Sequence, residues 1–373
     1  MSRAERLAWA YLSRVAEPPC PDLAALVGQV GPVAAAARIR RGEVTGRLAE
    51  RTAARRELYC AAEDLDVLDA LGGRLVTPDD DEWPAWAFRA FAGAGARPDG
   101  HPPLVLWAAG PARLDAVADR AAALVGTRAA TGYGLHVAAD LAAGLVQRDV
   151  AVVSGGAYGI DGAAHRAALA TEGLTVAVLA AGLDVPYPAG HTALLRRIAE
   201  DGLVVSEYPP GTRPARLRFL TRNRLVAALA GATVVVEAGL RSGAANTAAW
   251  ARALGRPVCA VPGPVTSAAS AGCHVLLRDG AELVGRAEEI VELVGRAGEL
   301  AGEPAHPAAP LDGLGETERR VHDALPARGW RTPDELAVAA GLPAPRVLGA
   351  LALLELAGLV TRRDGRWRLR PPV

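Results

Sequence analysis

From Leu104 onward, short runs of apolar residues alternate with longer stretches in which apolar and polar positions recur at helical spacing. The runs Leu104–Trp107, Ala122–Val125, Val150–Ser154, Thr175–Leu179, Leu203–Ser206, Thr233–Glu237 and Pro257–Val261 are apolar on consecutive positions, so they read as strands buried on both faces. Between them Gly134–Gln147, Gly159–Ala170 and Gly243–Leu254 have the length and spacing of crossover helices. Doubly buried strands alternating with helices predict an α/β fold, a Rossmann-like doubly wound parallel sheet. Ligands of such a sheet bind at the C-terminal edge of its strands.

The flanks read differently. Ala, Leu, Arg and Glu dominate from Arg3 to about Leu71, which predicts a helical N-terminal domain. Within it, Leu26-Val27-Gly28-Gln29-Val30-Gly31-Pro32 is either a plain interhelical turn or the hairpin of a helix-hairpin-helix (SAM-like) module whose amides face a phosphate. Thr77–Pro103, rich in Pro, Asp and Gly, reads as a connecting segment, and Gly302–Pro310 as a proline-rich linker. Beyond it Glu316–Leu325, Thr332–Ala340 and Pro345–Ala357 read as three helices. Thr332-Pro333-Asp334-Glu335 makes a well-formed helix start. The hairpin Thr361–Leu369 turns at Asp364-Gly365, which completes a winged helix. The expected organisation is a helical domain over residues 1–75, a connection over 76–103, the Rossmann-like domain over 104–295, a Pro/Ala/Gly-rich linker over 296–312 and the winged helix over 313–373.

Composition narrows the chemistry. Formal net charge is zero, with 41 basic and 41 acidic residues, yet every basic residue is arginine. A chain without lysine has no Walker-type phosphate loop, no Schiff base and no lysine nucleophile, which argues against conventional ATP hydrolysis. Cys20, Cys60, Cys259 and Cys273 are scattered with no CxxC pair, as expected of reduced thiols rather than zinc ligands. The start Met1-Ser2-Arg3-Ala4-Glu5-Arg6 lacks the apolar core of a signal peptide, and no segment is read as a membrane span; a cytoplasmic protein is expected.

Against that neutral background Arg216, Arg218, Arg222 and Arg224 crowd into nine residues just before a predicted strand. Clustered guanidiniums at a sheet edge suit a ligand with several phosphates. Three strand–glycine–helix junctions converge on the same edge. Val125-Gly126-Thr127-Arg128 is the first, and Ser154-Gly155-Gly156-Ala157-Tyr158-Gly159-Ile160-Asp161 opens a helix whose free amides favour anions. The third, Glu237-Ala238-Gly239-Leu240-Arg241-Ser242-Gly243-Ala244-Ala245-Asn246-Thr247, adds hydroxyl and amide donors. Asp161 and His165 share a helix face, and an orienting hydrogen bond is the favoured reading over an acid–base pair.

In order along the central domain, these residues resemble the DprA/Smf family of bacterial DNA-processing proteins. Val125-Gly126-Thr127-Arg128 with Tyr133-Gly134, the Ser154–Asp161 loop with Ala164-His165, Gly182-Leu183-Asp184 with Tyr187-Pro188, and Ser206–Gly211 carry the resemblance. Arg222-Asn223-Arg224, Val236-Glu237-Ala238, Arg241-Ser242-Gly243 and Val261-Pro262-Gly263 complete it. The resemblance implies binding of single-stranded DNA without sequence preference, a homodimer formed through the central domain, and loading of RecA onto strands coated by single-strand-binding protein, in natural transformation and recombination. Three positions depart from the family pattern. His191 stands for a usual asparagine, Leu220 for a proline, and Cys273-His274 for Ser-Asn.

The candidate DNA-binding residues are Gly126, Thr127, Arg128, Ser154, Gly155, Gly156, Gly159, His191, Arg222, Asn223, Arg224, Ser242, Gly243, Asn246 and Thr247; no catalytic residue, metal or cofactor is assigned. Arg128 and the Ser154–Gly159 loop are expected to hold a backbone phosphate while Arg222 and Arg224 extend the groove. Pairing of Arg222 or Arg224 with Glu207 or Glu237 is the competing expectation. Arg216 and Arg218 are left as a solvated rim, and with Tyr133, Tyr158 and Phe219 as the nearby aromatics, base stacking is expected to be limited. Two other classes compete. One is a nucleotide-processing phosphoribohydrolase-like enzyme using Glu237, the other a winged-helix regulator. Against the second, Pro345–Ala357 offers few polar side chains beyond Arg346 and Glu355 for reading a major groove.

Overall fold

The computed structural model describes residues 1–302, 311 and 313–370; the linker expected at 296–312 lies mostly outside the described residues. Residues 1–302 form one compact unit and residues 303–373 a second.

The first unit begins with α1 (Arg3–Val15), α2 (Pro21–Arg40), α3 (Gly46–Ala53) and α4 (Ala61–Ala70). Ser2 caps α1 in a reciprocal capping box with Glu5. The turn expected around Gly28–Pro32 is a break inside α2, where Gly31 takes φ 77° and Pro32 supplies no amide. By length and mean hydropathy (1.2) α2 reaches what a membrane span needs, although the sequence pattern predicts no span. The break interrupts it, and Leu23, Val27, Ala35, Ala36 and Ile39 pack into the N-terminal core.

A nine-stranded sheet follows: β1 (Gly73–Val76), β2 (Leu106–Ala109), β3 (Ala121–Gly126), β4 (Ala151–Ser154), β5 (Thr175–Leu179), β6 (Leu203–Ser206), β7 (Ala232–Glu237), β8 (Val258–Ala260) and β9 (Glu282–Leu283). Their spatial order is β1-β2-β6-β5-β4-β3-β7-β8-β9. All pairings from β6 to β9 are parallel, and the expected parallel sheet carries one reversed strand, β2, antiparallel to both β1 and β6. The chain walks from β3 outward to β6, then returns to lay β7 on the other side of β3. That reversal opens a crevice beside the C-terminal end of β3.

Helices cover both faces: α5 (Ala85–Phe88), α6 (Leu114–Asp119), α7 (Gly132–Val146), α8 (Ile160–Ala170), α9 (Thr192–Asp201), α10 (Arg216–Ala228), α11 (Gly243–Ala253), α12 (Ala271–Arg278) and α13 (Ala287–Val294). Alternation along β3 shows why its sequence is continuously apolar. Ala121, Ala123 and Val125 enter one core, Ala122 and Leu124 the other. The segment read as a mere connection buries Phe88, Phe91 and Ala94 in the first of these cores. Trp107 on β2 and Leu75 on β1 join the N-terminal helical core, so the helices rest on the antiparallel edge.

The second unit holds α14 (Glu316–Ala324), α15 (Pro333–Ala340), α16 (Ala344–Leu356), β10 (Val360–Arg363) and β11 (Arg366–Leu369). Val321, Leu336, Val347, Leu351, Leu354 and Trp367 form its core. Thr332 and Glu335 make the expected capping box, and Asp364 and Gly365 turn the wing at φ 51° and 74°.

Candidate nucleic-acid interface

At the crevice beside β3, three loops and the start of α10 enclose a cavity of about 700 Å³. The β3–α7 loop is fixed first. β3 bulges at Gly126, where a side chain would stand 2.4 Å from Ile160 Cγ1 and 2.8 Å from the Glu237 carbonyl. Thr127 N–H then donates to that carbonyl at 2.7 Å, and Arg128 projects into solvent at the cavity. Its guanidinium lies 5.0 Å from the Phe219 ring centroid.

The β4–α8 loop is held from beneath. Asp161 Oδ2 accepts from Gly155 N–H (3.2 Å) and Ala157 N–H (3.3 Å). Burial pushes the Asp161 carboxyl up, while Arg222 and these amides work the other way. Gly159, at φ 74°, could carry no side chain, because a Cβ would sit 2.2 Å from the Thr127 carbonyl. The two loops are therefore packed backbone to backbone. Asp161 does not pair with His165, whose Nδ1–H donates to Thr175 Oγ1 at 2.7 Å. Burial first, then the positive charge of nearby His191, Arg166 and Arg222, lowers the His165 pKa to about 3, so the ring is neutral and structural.

Arg222 and Arg224 part company. Arg222 lies beneath the loop. Its Nη1 donates to the Gly155 carbonyl at 2.7 Å and to the Val178 carbonyl, and its Nε to Asn223 Oδ1 at 3.2 Å. Burial lowers its pKa to about 10, offset in part by Asp161, so it stays charged at neutral pH and lines the cavity floor. Arg224 is fully buried and pairs with Glu207 at 2.7 Å, itself 3% exposed. The expectation that Arg224 forms a wall of the groove is corrected, since a guanidinium with no exposed surface meets no strand.

Two further candidates act behind the surface. Ser154 is wholly buried and its Oγ donates to the Leu124 carbonyl at 2.6 Å, tying β4 to β3. His191 is 5% exposed, and its Nδ1–H donates to the Gly156 carbonyl at 3.0 Å. Neither lines the cavity, and Gly156 does not line it either.

From the third junction Ser242, Gly243 and Thr247 line the cavity. Ser242 also caps α11, accepting from Ala244 N–H. Asn223 Nδ2 donates to Asn246 Oδ1 at 3.1 Å, so Asn246 anchors the wall from one step back.

Residues outside the candidate set complete the site. Arg216 and Arg241 line the cavity and are exposed; like Arg128, neither makes an ion pair among the described residues. Tyr187 packs on Phe219 with centroids 5.4 Å apart. Both stand within runs that carry the family resemblance, Arg241-Ser242-Gly243 and Tyr187-Pro188, so a signal for each was present in the sequence. Arg218 turns away to Glu17 at 2.6 Å. The cavity thus presents Arg128, Arg216, Arg222 and Arg241 against the single buried carboxylate of Asp161. The competing enzymatic reading loses its base, because Glu237 is 2% exposed and accepts from Thr131 N–H (2.8 Å) and Oγ1 (2.6 Å). Among the described residues no cluster of His, Cys, Asp or Glu could hold a metal ion.

Comparison with known proteins identifies relatives of the whole chain. Residues 74–295 match the family model for DNA recombination-mediator protein A, and residues 304–366 that for the DprA winged helix domain. A Mycobacterium tuberculosis protein described as a DNA processing protein DprA is 72% identical over 97% of this chain and 94% of its own length. The X-ray structure of DNA processing protein A from Streptococcus pneumoniae aligns with a TM-score of 0.65 at 29% identity, covering 78% of this chain and 98% of that one. A Helicobacter pylori DNA processing protein A, described for its single-stranded DNA binding mode, aligns with a TM-score of 0.51 at 28% identity over 59% of this chain and 94% of its own. The chain belongs to the DNA recombination-mediator protein A family.

Proposed function

We propose that the cavity beside β3 binds the sugar-phosphate backbone of single-stranded DNA without reading its sequence. The observation that carries this is the trio of exposed guanidiniums of Arg128, Arg216 and Arg241, without an ion pair among the described residues, around loops whose Gly126 and Gly159 are packed too tightly for a side chain. Phosphate contacts position a strand and carry no base information, so affinity depends on salt and length more than on composition. The protein acts by binding and not by catalysis. Buried Ser154 and His191, with Arg222 and Asn223, hold the loops that present the cationic side chains.

Beyond binding, we infer that the protein delivers the strand to a RecA recombinase, including strands coated by single-strand-binding protein, and works in the cytoplasm as a homodimer joined through residues 104–295. Membership of a family of recombination mediators supports this reading. Fluorescence anisotropy with labelled oligonucleotides of equal length and different sequence tests the binding. Affinities within a few-fold of one another are expected, and Arg128→Ala is expected to weaken all of them. Unchanged affinity of Arg128→Ala at low salt removes the cavity from the account. Filament assembly by RecA on coated strands tests delivery; no acceleration by this protein refutes that part while leaving binding intact.

A further inference from the structure

A second basic cleft lies one helix terminus away from the cavity. It encloses about 230 Å³ between the N-terminal helices and the start of α10. Arg14 and Arg55 face it from the helical side, Arg213 and Arg218 from the segment leading into α10. Their charges are not equally available. Arg14 is neutralised by Asp64, with bonds of 2.5 and 2.6 Å. Glu17 is shared, accepting from Arg218 at 2.6 Å and Arg55 at 2.8 Å, so one carboxylate stands between two guanidiniums. Burial works against ionisation of Glu17, but the hydrogen bonds from Arg218 and Arg55 outweigh it and hold the carboxyl below its ordinary value. Arg213 is exposed and makes no ion pair among the described residues. The cleft therefore keeps a surplus of positive charge that the fold does not use.

The cleft is continuous in sequence with the cavity. Pro214, Ala215 and Arg216 line the cavity, while their neighbours Arg213 and Arg218 line the cleft. The ridge between them is the N-terminus of α10, a helix of 13 residues with no side-chain cap and no acid in its first turn. Its unbonded amides and dipole favour an anion crossing it. Three virtual bonds of 3.8 Å put Arg213 and Arg216 within about 11 Å, roughly three nucleotides at the 3.4 Å rise of a stacked strand and fewer when it is extended.

We propose that the cleft lined by Arg55, Arg213 and Arg218 is a second phosphate subsite, so that a strand leaving the cavity crosses the α10 N-terminus and is gripped again with help from the N-terminal helices. This rests on the proposed function and adds a path to it. The helical region is then part of the DNA-binding surface through its arginines, independently of the Gly28–Pro32 turn.

Anisotropy with short (about six) and long (about twenty-five) oligo-thymidylates tests this, lengths chosen around the roughly 4–16 nucleotides a single binding fold occupies. Arg213→Ala removes an exposed side chain with no ion pair among the described residues, and Arg278→Ala, an equal charge change at an exposed position of α12, is the control. Arg213→Ala is expected to weaken the long strand roughly ten- to a hundred-fold, the loss of about one charge-assisted phosphate contact, and to flatten its salt slope by about 0.7, leaving the short strand unaffected. Glu17→Gln is expected to strengthen long-strand binding, an effect that simple loss of structure would not produce. Equal long-strand affinity in Arg213→Ala and the parent, or equal losses on both lengths, overturns the second subsite alone. A parent protein that binds neither length overturns the proposed function itself.

Discussion

Replacing Glu207 by alanine isolates the buried pair that the arginine cluster conceals. Arg224 has no exposed surface and Glu207 is its carboxylate partner at 2.7 Å. The pair is poorly satisfied even in the native fold, since Glu207 Oε2, Arg224 Nε and Arg224 Nη1 are buried without a protein partner. Removing the carboxylate leaves a full charge in the interior, which costs about 3–5 kcal/mol. That is a large share of the roughly 5–15 kcal/mol by which domains are stable. With a urea dependence of about 1–3 kcal/mol per molar, the midpoint for residues 1–302 should fall by at least about 1 M. The double variant Glu207→Leu, Arg224→Met removes both charges at similar volume and should return to the parent's stability or exceed it by about 1–4 kcal/mol. Urea titration followed by circular dichroism reads both. The folded double variant should also bind single-stranded DNA at low salt like the parent. A single variant within about 1 kcal/mol of the parent, or a folded double variant that no longer binds, would refute the assignment of Arg224 as structural.

His165 gives a pH test. Its folded pKa near 3 lies below the ordinary 6.5, so below pH 6.5 the unfolded chain takes up a proton that the folded one refuses. Stability from this group is full above pH 6.5 and declines as pH falls toward 3, by about 2 kcal/mol at pH 5. His165→Gln should abolish that part of the slope, and a pH profile identical in the two proteins contradicts the reading. Gly159→Ala, at φ 74° and with a Cβ 2.2 Å from the Thr127 carbonyl, should lose about 1–3 kcal/mol in thermal or urea unfolding together with DNA binding. Gly243→Ala meets nothing within 4 Å, so it should unfold like the parent yet bind DNA more weakly; unchanged affinity would place the strand away from α11.

Strands β3 to β8 are legible to within one or two residues because burial on both faces makes them apolar at most consecutive positions. β1, with the sequence Gly-Arg-Leu-Val, and the exposed two-residue β9 carry no such pattern. The reversed direction of β2 is hidden for another reason: Leu-Trp-Ala-Ala is buried and apolar like the parallel strands, and that pattern carries no information on strand direction. The Pro, Asp and Gly content of Thr77–Pro103 predicts a mere connection, yet two of the chain's three phenylalanines, Phe88 and Phe91, lie in it and anchor it. Helix geometry decides between the two expectations for Arg224, a groove wall or a pairing with Glu207. Residues two apart on a helix point about 200° apart, so once Arg216–Ala228 is a helix, Arg222 and Arg224 cannot both line one wall. Arg216 was set aside as rim, and its place at the cavity follows from the helix beginning at that residue. Ser154 and His191 sit in the right loop, but which side of the loop a side chain takes is decided by tertiary packing.

The most direct measurement is the dependence of single-stranded DNA affinity on salt, taken in parallel for the parent and Arg128→Ala. Losing one charge-assisted phosphate contact should weaken binding by about 1.5–3 kcal/mol, roughly ten- to a hundred-fold. It should also flatten the slope of log K against log salt by about 0.7. A parent protein whose binding does not respond to salt, or an Arg128→Ala protein with the parent's slope and affinity, contradicts the claim that this cavity holds the strand by its phosphates.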